Sequence, residues 1–260
     1  RGWPENVNFR ALRGLVRMRW AQAATKLGRD AARMLAGAHE DFAECCRAAP
    51  RDPTMLVNRG LAWQAQAAED AAKGKDSRAS LRAAAADLTA ALEIDGGSTM
   101  VRGSRGEVYG DLAQEEARLR QDAENSFRRA IEDLDAVLAA EPASLRDLGR
   151  RGEIHRRWGS YRDLRGEDPR DLYRKALEDL TRGHALRPTD PGLLCRRGSA
   201  YRDLAVAENA RGGAAAGLFR KAIADFDVSL ARDAGEIASI NNRGLAWLGL
   251  GHAQAAAGQD

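Results

Sequence analysis

Cysteine and aromatic residues are both scarce in this chain of 260 residues: three Cys, five Trp, five Phe and four Tyr, with aromatics making 5% of the whole. Cys45 and Cys46 are adjacent and Cys195 is remote, so the thiols make neither a disulfide framework nor a CxxC metal half-site, and they fit a reducing, cytoplasmic setting. So few aromatics, set against abundant Ala, argue against a β sandwich or barrel and favour helices. No apolar run approaches the eighteen or so residues that a membrane helix needs, and no signal-peptide pattern opens the chain. Lys+Arg 41 against Asp+Glu 38 gives a net charge of +3, too balanced to point to nucleic acid. There is no Gly-rich phosphate loop, HExxH motif or nucleophile elbow, and outside one repeated Asp column the sequence shows no paired carboxylates. The sequence therefore predicts no enzyme, no metal and no cofactor. Glycine alone is plentiful, at 26 residues, which is awkward because a mid-helix Gly costs about 1 kcal/mol relative to Ala.

Those glycines mark a period. Arg-Gly occurs at Arg13-Gly14, Arg59-Gly60, Arg105-Gly106, Arg151-Gly152, Arg197-Gly198 and Arg243-Gly244, every step being 46 residues. The same step relates Asp41, Asp87, Asp133, Asp179 and Asp225; Phe42, Leu88, Leu134, Leu180 and Phe226; and Ala38, Ala84, Ala130, Ala176 and Ala222. Asn6, Asp52, Ser98, Ser144 and Asp190 form a column of short polar acceptors, twice followed by Pro, which predicts the N-cap of a helix A. Gly28, Gly74, Gly166 and Gly212, with Arg120 departing, predict its C-terminal stop. Asp30, Asp76, Asp122 and Asp168 predict the N-cap of a helix B. Each unit then reads as an antiparallel helical hairpin, giving units at 6–51, 52–97, 98–143, 144–189, 190–235 and a partial 236–260 within one repeat domain.

Gly198 followed by Tyr201, then Ala222, Phe226 and Ser229 on the next helix with Pro188 closing the unit before, resembles the tetratricopeptide repeat. The Arg-Gly and Ala-x-x-Asp-[Phe/Leu] columns are similar to a common bacterial subtype, with each unit 12 residues longer than the family's 34. Twelve residues are about 3.3 turns, so lengthening both helices preserves their facing sides. The resemblance implies an all-α, right-handed α-solenoid of about eleven helices. The opening on Arg1 and the half-unit at the end read as a fragment of a longer protein, and Pro4, in the column of Pro50, Pro142 and Pro188, reads as the end of an upstream helix B.

The Arg and Asp columns predict a repeated, largely buried ion-pair ladder: Arg59, Arg105, Arg151, Arg197 and Arg243 against Asp41, Asp87, Asp133, Asp179 and Asp225, with Arg59 in register with both Asp87 and Asp41. The Gly beside each Arg predicts a close helix approach.

In the family, helix A lines a concave groove. The resemblance places Arg146, Gly149, Arg150, Glu153, Arg156 and Arg157 there in the fourth unit, and Gly192, Cys195, Arg196, Ser199, Arg202 and Asp203 in the fifth. The clamp by which some members hold a peptide C-terminus maps onto Asn58, Arg150, Arg196 and Asn242. The implied function is a protein-interaction scaffold whose groove holds an acidic or C-terminal peptide through Arg146, Arg150, Arg157 and Arg196. The alternatives are a regulatory or sensor segment of a larger bacterial signalling enzyme, kinase or protease-like, and, least supported, a nucleic-acid reader. His39, His155, His184 and His252 are isolated; His155 in the Tyr column reads as packing. Trp63, Tyr109, Tyr201 and Trp247 read as a core stripe, Cys45 and Cys46 as core thiols, and Cys195 as the one thiol that could be reactive. Ile237, Ile240, Leu245, Trp247, Leu248 and Leu250 make the last helix apolar for a solvating cap, so it either continues into a further helix or buries that face against another chain.

Overall fold

The computed structural model describes residues 6–256, so Pro4 lies outside the described residues. Eleven helices and no strand occur among them: α1 (Val7–Lys26), α2 (Ala32–Ala48), α3 (Pro53–Ala72), α4 (Arg78–Ile94), α5 (Thr99–Arg118), α6 (Glu124–Ala140), α7 (Leu145–Leu164), α8 (Arg170–Leu186), α9 (Pro191–Asn209), α10 (Ala216–Arg232) and α11 (Ile237–Ala256). Odd-numbered helices are the A helices and even-numbered ones the B helices. The chain divides into two compact units, Arg1–Val137 and Leu138–Asp260.

The punctuation read from the sequence sets the A helices. Asn6 accepts from the backbone N–H groups of Asn8 and Phe9, Asp52 from Thr54, Ser98 from Val101 and Asp190 from Leu193. Ser144 stands at the N-cap of α7 but makes no capping bond; its hydroxyl donates instead to Asp147, 2.5 Å away. Gly28, Gly74, Gly166 and Gly212 all take positive φ, and Arg120 takes the same left-handed conformation at φ 56° in the column where Gly is missing.

The B helices begin one residue later than the Asp column predicts. The caps of α2, α4 and α8 are Ala31, Ser77 and Pro169, none with a side-chain capping bond. Asp76, Asp122 and Asp168 still accept from the N–H two residues on, at 3.0, 3.0 and 3.1 Å, forming Asx turns just outside the helix. Pro169 has no N–H to satisfy, but those of Ala31 and Ser77 are satisfied from a neighbouring hairpin, which sequence reading missed. Glu69 of α3 accepts from Ala31 N at 3.2 Å and Glu115 of α5 from Ser77 N at 3.1 Å. Both carboxylates are buried, and both are held below the usual range, Glu69 first by Lys73 and Glu115 first by Arg118. The 46-residue step between them was the available signal.

The Arg-Gly glycines of the five complete hairpins let a B helix approach its A helix closely, whereas Gly244 has no atom within 4 Å of a built Cβ among the described residues. A Cβ built at Gly14 would stand 2.9 Å from the Phe42 ring, at Gly106 3.1 Å from the Ala130 carbonyl, and at Gly198 2.8 Å from Phe226. The Ala, Asp and Phe/Leu columns lie on the opposing B-helix face, with Phe42, Leu88, Leu134, Leu180 and Phe226 all fully buried.

Two histidines replace apolar residues in this core. His39 occupies the column of Ala85, Ile131, Leu177 and Ile223, and His184 that of Cys46, Leu92, Leu138 and Leu230. His39 stacks on Trp63 at 4.0 Å between ring centroids, and its two ring nitrogens have no hydrogen-bond partner. Burial lowers both imidazoles below the ordinary 6.5, with Arg59 adding to the effect at His39 and Arg197 at His184. A depressed histidine binds fewer protons folded than unfolded, so its stability contribution is complete above about pH 6.5 and is lost as pH falls through the folded value. We expect urea midpoints of the wild type to fall between pH 7 and about pH 5, and the double variant His39→Leu/His184→Leu to lose that slope.

Candidate functional site

On one side of the hairpins, successive A helices meet directly: α1 with α3, α7 with α9 and α9 with α11. Side chains 47 residues apart touch there, Gln64 Nε2 with Asp111 Oδ2 at 3.4 Å and Arg156 Nη1 with Asp203 Oδ2 at 2.8 Å. This is the face on which the sequence places the candidate groove.

In the second unit the face carries a continuous charge network. Arg156 grips Glu153 through Nε and Nη2 at 3.0 and 2.8 Å, and Arg157 Nε donates to the same carboxylate at 2.9 Å. Arg202 Nε donates to Asp203 at 2.9 Å, Arg202 Nη1 donates to the Asn242 amide oxygen, and Asn242 Nδ2 donates to Ser199 Oγ at 3.2 Å. Arg150 Nη1 lies 3.1 Å from Asp147. Burial opposes the charge on both Arg156 and Glu153, yet their mutual attraction, with Asp203 and Arg157 beside them, keeps the arginine above and the carboxylate below its ordinary value.

The structure therefore brings Arg150, Arg157, Arg202 and Asn242 into ion pairs and amide contacts within the protein. Arg146 and Arg196 differ: both are exposed and neither has an ion pair among the described residues. The Arg196 guanidinium crosses to α7, where its Nη1 would stand 2.8 Å from a Cβ at Gly149, three residues after Arg146. Asn58 is half-buried in the other unit. Asp147, outside the groove positions read from the sequence, is the acidic residue whose role only the packing reveals.

In the first unit the same face opens a cavity of about 830 Å³. Ala65, Ala68 and Ala71 line it together with Gln22, Gln64 and Gln114.

The Arg and Asp columns pair within each hairpin. Nε and Nη2 of Arg59, Arg105, Arg151 and Arg197 grip Asp87, Asp133, Asp179 and Asp225 bidentately at 2.6 to 2.8 Å. The aspartates are buried and the arginines retain 12 to 31% exposure. The register expected between Arg59 and Asp41 is absent, because Asp41 takes Arg13 of its own hairpin and Arg17 one turn on. Arg243 reaches Asp227 instead of a column Asp, since no B helix follows it among the described residues. His155 is buried with Nδ1 3.7 Å from Asp179.

Cys45 and Cys46 are buried. Cys195 is half-buried and its thiol is raised, by burial first and by Glu236, so it is not activated as the sequence allowed. Trp247 departs from the predicted core stripe and is 57% exposed, because no helix among the described residues covers the face it occupies. Among the described residues no group of three or more His, Cys, Asp or Glu side chains is placed to hold a metal ion, and no helix is long and apolar enough to cross a membrane.

No protein-family model matches the sequence, and no curated protein does. Solved structures do resemble the fold. TTC0263, a thermophilic TPR protein of Thermus thermophilus, is 16% identical, with 90% of this chain and 99% of that one covered and a TM-score of 0.51. MamA from Desulfovibrio magneticus RS-1 is 16% identical over 85% of this chain and 97% of its own, with a TM-score of 0.49. A human IFIT1 dimer with m7Gppp-AAAA is 16% identical over 87% of this chain and 44% of its own, with a TM-score of 0.48. At such identities the likeness is one of fold, and the chain has the α-solenoid fold of the tetratricopeptide-repeat type.

Proposed function

We propose that the protein is an interaction scaffold and that the A-helix face of its second unit holds an acidic peptide segment ending in a free carboxylate. The observation that carries this reading is the pair Arg146 and Arg196, exposed and without an ion pair among the described residues, beside a network in which Arg156 and Arg202 are already matched by Glu153 and Asp203. The matched residues set a rigid floor. The two unmatched guanidinium groups supply charge-assisted donors to a ligand carboxylate. Arg150, Arg157 and Asn242 join them by exchanging a partner within the protein for the ligand, a route that costs affinity and confers selectivity.

A fluorescent acidic peptide with a free C-terminus should bind the protein, and the same peptide amidated should bind roughly tenfold more weakly, the worth of one charge-assisted pair. The double reversal Arg146→Glu/Arg196→Glu should abolish binding in anisotropy titrations while leaving the helical circular dichroism unchanged. Equal binding of the acidic peptide by wild type and double variant would reject this assignment.

A further inference from the structure

The A-helix face of the first unit holds a trough bounded on both sides by described helices. Residues of α1 form one wall and residues of α5 the other, with α3 between them and the start of α4 adding to the lining. The repeat columns show how it arises: Gln22, Ala68 and Gln114 stand 46 residues apart, as do Lys26, Ala72 and Arg118. In both columns the outer helices keep a long polar side chain and the middle helix carries only a methyl group. The result is the cavity of about 830 Å³, a size suited to a small molecule.

The two walls differ in charge. On α1, Lys26 lines the trough, is exposed and has no ion pair among the described residues. On α5, Glu107 and Asp111 line it one turn apart, both half-buried, and Asp111 accepts from Gln64 Nε2 at 3.4 Å, a long bond. Arg118 also belongs to the α5 wall, but its Nε and Nη2 grip Glu115, each at 2.7 Å, so its charge is already matched. An anion drawn to Lys26 is repelled by Glu107 and Asp111, and a cation meets the reverse. A molecule carrying both charges at the ends of a neutral chain satisfies both walls at once. Gln22 and Gln114 each offer a donor and an acceptor to the peptide bonds of such a chain, and the alanine floor lets it lie close to α3.

We propose that this trough binds a small zwitterion, a free oligopeptide of about three or four residues. Neighbouring helices pack about 8–10 Å apart, so the walls stand about 16–20 Å from each other. Once the side chains reach inward about 10 Å remains, the span of about three extended residues. The ligand's carboxylate pairs with Lys26, its ammonium group with Glu107 and Asp111, and its peptide groups bond the glutamine amides. The trough shares no residue with the second-unit face proposed above, and its ligand does not depend on Arg146 or Arg196.

Trialanine and tetraalanine are the probes, titrated by nuclear magnetic resonance and read at the side-chain amides of Gln22 and Gln114. At least one should bind saturably. Acetylating its amine or amidating its carboxylate should weaken binding about tenfold in each case, the worth of one charge-assisted pair. Lys26→Gln should bind the free and amidated forms equally, and Glu107→Gln/Asp111→Asn the free and acetylated forms equally. Ala68→Leu, at an exposed floor position where leucine costs the helix little, should abolish binding with the circular dichroism unchanged. Arg146→Glu/Arg196→Glu should leave the affinity as it is in the wild type. Absence of saturable binding by both peptides overturns the proposal, as does binding that survives Ala68→Leu. Equal binding of tetraalanine blocked at both ends would assign the trough to a segment within a longer chain and overturn it too.

Discussion

Replacing Gly152 with Ala should destabilise the protein by about 1–3 kcal/mol, while the same replacement at Gly244, in the same column of the repeat, should stabilise it by up to about 1 kcal/mol. At Gly152 the new methyl would stand 2.8 Å from Leu180 Cγ and 3.2 Å from the Ala176 carbonyl. The leucine is fully buried and the carbonyl belongs to a helix, so neither can give way without shifting the B helix. At Gly244 no atom lies within 4 Å, so only the helix propensity of Ala is felt. Urea unfolding of the two single variants, followed by circular dichroism, checks both signs. If Gly152→Ala proved as stabilising as Gly244→Ala, close helix approach would not be the reason for the column.

Asp179→Ala should cost about 3 kcal/mol, among the largest effects of any single charge removal in the molecule. It strips the buried end of a bidentate pair and removes both of the bonds that Arg151, 18% exposed, makes to that carboxylate. His155 loses the same neighbour. Replacing both partners with leucine should cost less than removing Asp179 alone, because no charge is then left stranded. Glu44→Ala, which breaks an exposed pair with Arg47, should change stability by less than about 1 kcal/mol. The pair also predicts an acid limb. Burial pushes the Asp179 carboxyl up, but Arg151 and His155 more than offset it and hold it below its ordinary value. Its contribution is therefore complete above about pH 4 and is lost as pH falls through the lower folded value. That window lies below the one set by His39 and His184, and Glu69, Glu115 and Glu153, also held below their ordinary values, share it, so Asp179→Asn should shrink the lower step and leave the upper one unchanged.

The hairpin architecture was legible because it depends on residues whose physical roles are local. A polar acceptor at a helix start and a glycine at a helix stop act over a few residues, and at Asp52 or Gly74 they do so without reference to the rest of the chain. The Arg-Gly and Asp columns were legible for a different reason: an exact 46-residue step made each hairpin a copy of the same packing solution. The site was less legible. Arg150, Arg157 and Arg202 read from the sequence as a basic groove, yet Asp147, Glu153 and Asp203 absorb their charge. Glu153 and Asp203 sit at groove positions themselves, but a list of positions does not say which side chains bend toward which.

The sequence by itself determined the period, the helix ends and the place of the close contacts, since each follows from backbone conformation and from side-chain size at a repeated position. Only the tertiary structure decided the rest. It moved the B-helix caps onto Glu69 and Glu115 of the next hairpin, paired Arg59 with Asp87 and not with Asp41, and left Arg146 and Arg196 without an ion pair among the described residues. These outcomes depend on distances between side chains far apart in the chain, where a few ångströms separate an ion pair from an open surface, and a periodic sequence fixes the columns without fixing those distances.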